Sequence, residues 1–185
     1  MQPISYTVSK GLRYGAVGGF IGSIVLGITG EIGAISMNQE VFYTTIARKL
    51  GFGDYSVIGG WTLHFLVGII AGSLFIGTTA AIRRFMLTTT KKAIWVGILG
   101  GIAIWIVVYV PVTGIYIPGD LTDATFAVGT FVLHLLYAVV TAIVSLSLLR
   151  RTVGAKTTTP SQVSVNTFLT WRCRIPRLVD RGHGA

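Results

Sequence analysis

Charge is what this 185-residue sequence has least of: 11% of its residues are charged, and only six are acidic. A water-soluble domain carries about 25% charged residues. That shortage, beside 52% apolar residues, excludes an ordinary soluble globule and a disordered chain. The one cysteine, Cys173, excludes an internal disulfide framework and a CxxC metal site. There is no P-loop, no HExxH, no GxSxG and no pair of carboxylates at hydrolase spacing, so no soluble-type catalysis can be read from the chain. The glycines of 15–22 lie inside an apolar run rather than after a strand, which excludes a dinucleotide fingerprint.

What the sequence does have is length without charge. Four stretches, about 12–30, 57–82, 93–117 and 126–149, are long enough to cross a bilayer, which takes about 20 apolar residues. Inside lipid every backbone polar group must be paired within its own segment, so the stretches predict helices. The expected fold is an all-α membrane protein, a four-transmembrane-helix bundle spanning residues 1–151. Residues 152–185 are expected to form a flexible basic tail.

The +9 net charge is segregated. Lys10 and Arg13 precede the first span, Arg83, Arg84, Lys91 and Lys92 join the second to the third, and Arg150, Arg151 and Lys156 follow the fourth. The other two connections carry Glu31, Glu40, Asp54, Asp120 and Asp123 against only Arg48 and Lys49. The positive-inside rule therefore predicts a cell-membrane protein with both termini cytoplasmic. The basic residues read as a topology signal and a footprint for anionic lipid, not for nucleic acid. Span one resembles a signal peptide in its basic flank, but its apolar run is too long and lacks a clear cleavage site.

Many of the 24 glycines fall in rows. Gly11, Gly15 and Gly19 share one helical face, as do Gly97 and Gly101, and as do Gly60, His64, Gly68 and Gly72. Small residues let membrane helices pack backbone to backbone. The rows also repeat. Tyr14-Gly15-Ala16-Val17-Gly18-Gly19 matches Val96-Gly97-Ile98-Leu99-Gly100-Gly101, and Gly59 to His64 matches Gly129 to His134. The bundle is expected to be two parallel two-helix repeats. Pro111 predicts a kink near the end of the third span.

An ionisable group inside a membrane is costly and marks a candidate site. His64 and His134 lie at similar depth, and Glu31 and Tyr109 approach the same level, so the four are expected to form one polar layer. Several readings compete for that layer. Most simply, each histidine is interhelical glue, in a non-enzymatic protein that acts as a structural or accessory subunit of a membrane assembly or a homo-oligomer. Alternatively Glu31, His64 and His134 serve a small transporter or proton-linked channel. In the third reading His64 and His134 ligate haem b or a metal as an electron carrier. The segment 36–53 is apolar on one face, through Val41, Phe42, Ile46, Ala47 and Leu50, and predicts a short interfacial helix or a partner-binding segment.

The same residues carry a resemblance. A glycine-rich first span ending in an acid (Gly15 to Glu31), a histidine in the second (His64), a Pro-x-x-Gly exit from the third (Pro111 to Gly114) and an early histidine with a double-arginine end in the fourth (His134, Arg150, Arg151) resemble the YagU-like family of small prokaryotic inner-membrane proteins. The resemblance implies a multi-pass inner-membrane protein, with a suggested role in acid tolerance for some members. The chain differs from it in a shorter outer loop and in its basic tail.

The predicted orientation has a direct test. With Cys173 replaced by serine, a cysteine at Asp120 should react with an impermeant thiol reagent in intact cells. One at Lys91 should react only after the membrane is opened.

Overall fold

The computed structural model describes residues 5–157. The chain runs through α1 (Val8–Ser36), α2 (Phe42–Lys49), α3 (Ser56–Ala81), α4 (Thr90–Ile104), a π turn (Trp105–Tyr109), α5 (Val110–Tyr116), the short α6 (Pro118–Thr122) and α7 (Ala124–Thr157). No strand occurs among the described residues. Four segments are long and apolar enough to cross a membrane: Val8–Ser36, Gly53–Ala81, Thr90–Tyr116 and Ala124–Thr152. The protein is therefore a multi-pass, all-α membrane protein. Its exposed side chains agree, since Trp95 (68%), Val107 (70%) and Leu74 (60%) face outward where lipid would lie. α7 continues to Thr157, past the expected end of the bundle; the remainder of the basic tail, with Cys173, lies outside the described residues.

Local chemistry sets the helix ends. Thr7 caps α1, its hydroxyl accepting from the Lys10 amide, and Thr89 caps α4 by accepting from the Lys92 amide. These two caps fall at the same offset as the matched glycines, so the repeat extends to the helix starts. Asp123 starts α7 by accepting from the amides of Thr125 and Phe126 at 2.8 and 3.2 Å. Pro111 enters the first turn of α5 directly after the π turn. Proline lacks the amide that would continue the α register, and the wider turn absorbs the mismatch. The predicted kink thus takes the form of a π turn, and Tyr109 at its end is buried (3% exposed).

Packing follows the glycines. Gly15 and Gly19 of α1 meet Gly72 and Gly68 of α3 so closely that a Cβ on Gly72 would sit 2.5 Å from Gly19 Cα. In the second pair Gly97 lies against Ala138 and Val139, and Gly101 against the His134 carbonyl, where added Cβ atoms would stand 2.7 and 2.8 Å from the nearest backbone. The partners on α7 are shifted by one helical turn relative to those on α3. The two repeats are alike but slid.

A third seam joins the repeats. Gly18 and Gly22 of α1 pack on α7 against Thr141, Ser145 and Tyr137. Ser145 Oγ donates to the Tyr14 carbonyl at 3.0 Å and Thr141 Oγ1 to the Gly18 carbonyl at 3.4 Å. Repeat symmetry predicts an equivalent seam between α4 and α3. It is not there: α3 and α4 make no substantial packing of their own. The reason lies in the residues at matching positions. Ile104 stands where the first repeat has Gly22, Phe75 where the second has Ser145, and Ala71 where it has Thr141. Phe75 lies across Gly100 and fills one end of the seam. No hydroxyl is left to reach across the rest, which stays open.

At the basic end, where Lys10, Arg13, Arg83, Arg84, Lys91, Lys92, Arg150 and Arg151 gather, Tyr6 locks the α3–α4 connection. Thr79 Oγ1 donates to the Ile76 carbonyl at 2.7 Å. The Tyr6 hydroxyl must therefore donate to Thr79 Oγ1, at 2.8 Å, while accepting from the Leu87 amide at 3.2 Å. Leu87 is fully buried beneath it.

Two substitutions test this account by thermal melting in detergent. Gly19→Leu drives a side chain into the α3 backbone and should cost about 3 kcal/mol or prevent folding. Gly33→Ala, at a glycine with nothing within 4 Å, should change stability by no more than about 0.5 kcal/mol.

Candidate functional site

The open length of the α3–α4 seam is a chamber of about 250 Å³. Leu63, Val67 and Ala71 of α3 form one wall, and Ile104, Val108, Tyr109 and Val112 of the α4–α5 run form the other. Ser23 and Leu26 of α1 with His134 and Tyr137 of α7 close the back. The fourth side is the seam itself, where Val67 is half-exposed between the parted helices.

α2 makes the roof. The expected amphipathic helix forms, but its apolar face is spent on the bundle rather than on a lipid surface. Tyr43, Ile46 and Ala47 are buried, and Gly60 of α3 lets the backbone of Tyr43 and Thr44 approach, with a Cβ there only 2.8 Å from the Tyr43 carbonyl. Glu40 and Arg48 pair on its outer face. Gly51 and Gly53, both with positive φ, turn the chain from the roof into α3.

Inside the chamber an aromatic relay links the two histidines. Phe42 lies edge-on to His64 (6.5 Å between ring centroids) and to Tyr109 (5.7 Å), and Tyr109 lies 5.2 Å from His134. Tyr43 covers His64 at 4.8 Å and 31°. Below them Tyr137 crosses to α3, its hydroxyl donating to the Gly68 carbonyl at 2.5 Å.

Each imidazole is fixed by a backbone carbonyl. His64 Nε2 lies 2.9 Å from the Ser23 carbonyl, and His134 Nδ1 lies 2.7 Å from the Thr130 carbonyl. A carbonyl can only accept, so those two nitrogens carry the hydrogens. In its neutral form each ring is left with one bare acceptor nitrogen, Nδ1 of His64 and Nε2 of His134, without a partner among the described residues. The sealed polar atoms without partners are others, Tyr109 Oη and Thr113 Oγ1. A buried hydroxyl left unpaired costs about 1–3 kcal/mol, but both atoms are sealed inside the protein and present no surface to the chamber.

Of the four residues expected in one layer, His64, Tyr109 and His134 line the chamber together, and Glu31 does not. Glu31 touches it at second hand, accepting from the Tyr43 hydroxyl at 2.8 Å. Burial first, and then the hydrogen bond and charge of Glu31, hold the Tyr43 phenol well above its ordinary range. Beside the roof, burial and the neighbouring Asp123 raise the Asp120 carboxyl, and Lys49 at the end of α2 partly offsets this. Sequence reasoning missed Phe42, Tyr43, Tyr137 and Ser23. Tyr137 could have been found, since it lies one turn from His134; the α2 aromatics could not, because nothing local says that the helix folds inward. Among the described residues no three His, Cys, Asp or Glu side chains converge, so the two imidazoles are the metal-binding capacity of the site.

A second cleft, about 360 Å³, separates the far ends of α1 and α7 and is lined by Gly30, Gly33 and Gly129. It holds no ionisable side chain apart from Tyr43. Comparison with family models, curated proteins and solved structures returns no match.

The raised Tyr43 phenol gives a signed pH dependence. The folded form holds this proton more tightly than the unfolded chain, so its contribution to stability is intact below about pH 10 and is lost as pH rises above that. Alkaline unfolding monitored by helical signal should be delayed in Tyr43→Phe, although that variant is less stable at neutral pH through loss of the Glu31 bond.

Proposed function

We propose that this protein is a non-enzymatic, multi-pass membrane subunit that holds a small, largely apolar molecule in the chamber between α3 and α4. In this reading both termini are cytoplasmic and the chamber lies in the outer half of the cell membrane, opening sideways into lipid. Anionic lipid gathers at the basic end, whose eight cations have no acidic partner among the described residues. The resemblance to the YagU-like family belongs to the same proposal and adds the inner membrane as its location.

One observation carries the reading: two imidazoles, each pinned by a carbonyl, present bare nitrogens to an aromatic, water-poor space. Ligand sites are typically apolar hollows with a few placed polar groups. A proton-linked role gains less support, because Glu31 stands outside the chamber.

The same nitrogens favour one second reading. A histidine whose other nitrogen is tied to a carbonyl is arranged as metal ligands usually are, and His64 and His134 would then hold haem b or a metal. Purification with a Soret band that disappears in His64→Ala would select this reading, and its absence from fully loaded membranes would reject it.

The chamber is tested with para-fluorophenol and fluorine NMR in detergent. The protein should show saturable binding above the partition into micelles. Ala71→Trp, which fills the seam, should weaken that binding by at least about tenfold while the protein keeps its helical content. Binding unchanged by the plug would reject the chamber as the site.

A further inference from the structure

The chamber's hydrogen-bonding inventory is one-sided, and that selects among ligands. Both free imidazole nitrogens are acceptors, because the hydrogens of each ring are committed to Ser23 and Thr130. Tautomer exchange would place two bare acceptors, nitrogen and carbonyl oxygen, against each other at 2.9 and 2.7 Å, so neither ring can turn itself into a donor cheaply. Ser23 reinforces this, since its own hydroxyl is spent on the Phe20 carbonyl at 2.8 Å. The Tyr137 hydroxyl is likewise spent on Gly68. The Tyr109 hydroxyl is sealed inside the wall, and the lining hydroxyl without a partner among the described residues is that of Tyr116 at the end of α5, which can both donate and accept.

Size and surroundings narrow the choice further. A cavity of about 150 Å³ holds benzene, so about 250 Å³ holds one substituted six-membered ring. Phe42, Tyr43, Tyr109 and Tyr137 offer ring faces and edges to such a ring. The histidines come from α3 and α7, at different walls of one chamber, so a ring that meets both needs donors at two separated positions. The open seam leads from the chamber into the apolar zone of the bilayer, with Val67 (47% exposed) and Ile70 (51% exposed) along its α3 edge.

Resting on the chamber reading above, we infer that the ligand is the para-diphenol head of a membrane-soluble hydroquinone. One hydroxyl donates to Nδ1 of His64 and the other to Nε2 of His134. The substituents leave through the seam. The oxidised ring, a quinone, has only acceptor oxygens and would face two acceptor nitrogens. The site therefore discriminates the reduced ring from the oxidised one by binding alone, and no electron transfer is involved.

The test compares three one-ring probes of similar size on the detergent-solubilised full chain under argon: trimethylhydroquinone, trimethylbenzoquinone and durene, which has no polar group. Binding is read by isothermal calorimetry. The expected order is the hydroquinone at least about tenfold tighter than the quinone, from two hydrogen bonds gained, with durene weak but saturable. His64→Phe and His134→Phe should each remove a large part of the preference, one hydrogen bond apiece. Equal affinity for hydroquinone and quinone, with durene still bound, would overturn the inference and leave the chamber reading standing. Failure of all three probes to bind would overturn both. The comparison on the unaltered protein decides the matter even if a histidine variant does not fold.

Discussion

Backbone-to-backbone contact along α1 is the constraint on which everything else rests. One face of α1 carries Gly11, Gly15, Gly19 and the small Ser23, and its neighbouring face carries Gly18 and Gly22. The first face is pressed into α3 and the second into α7. Lipid offers helices no hydrophobic reason to associate, so the gain must come from dispersion at close range and from polar bonds across the contact. The side-chain hydroxyls supply those bonds by reaching the nearest backbone carbonyls, as Ser73 does to Leu12 and Ser145 to Tyr14. α1 is thereby the axis of the bundle, although it is the least apolar of the four spans.

Because α1 holds both α3 and α7, and α7 holds α4, three seams suffice to fix four helices. The fourth is free to differ. Phe75 and Ile104 part α3 from α4, and what would have been a further packing contact becomes a space with one lipid-facing side. A two-helix unit repeated with perfect symmetry would have had no room for a ligand. Departure from the repeat at a few positions created the chamber without weakening the glycine contacts that hold the fold.

The chamber's polar groups are restrained in the same economical way. Each histidine is oriented by a backbone carbonyl, which carries no charge and needs no further partner. The roof helix α2 then adds the aromatic surface that a bare bundle end would lack, and Tyr43 joins that roof to α1 through Glu31. Glu31 thus supports the site's lid while remaining outside the chamber. The same acid that looked like part of a proton path is the anchor of a tyrosine.

The architecture was legible in the sequence because it depends on quantities that are local: a run of apolar residues sets a span, the placing of lysine and arginine sets a predicted orientation, and glycine at every fourth position sets a packing face. The four helices, the matched pairs and the common depth of His64 and His134 all follow from such local patterns. Pro111 likewise announced a distortion, though not that it would be a π turn carrying Tyr109 inward. The site depended on relations between segments. Whether a seam closes is decided by what stands on its two sides, Phe75 against Gly100 at one end and Ile104 and Ala71 on opposite walls of the open length, and no single helix contains that information. Nor does the amphipathic pattern of α2 say whether its apolar face meets lipid or protein, since both are equally apolar. Only the tertiary structure settled those two questions, because each is answered by what stands opposite a residue rather than by the residue itself.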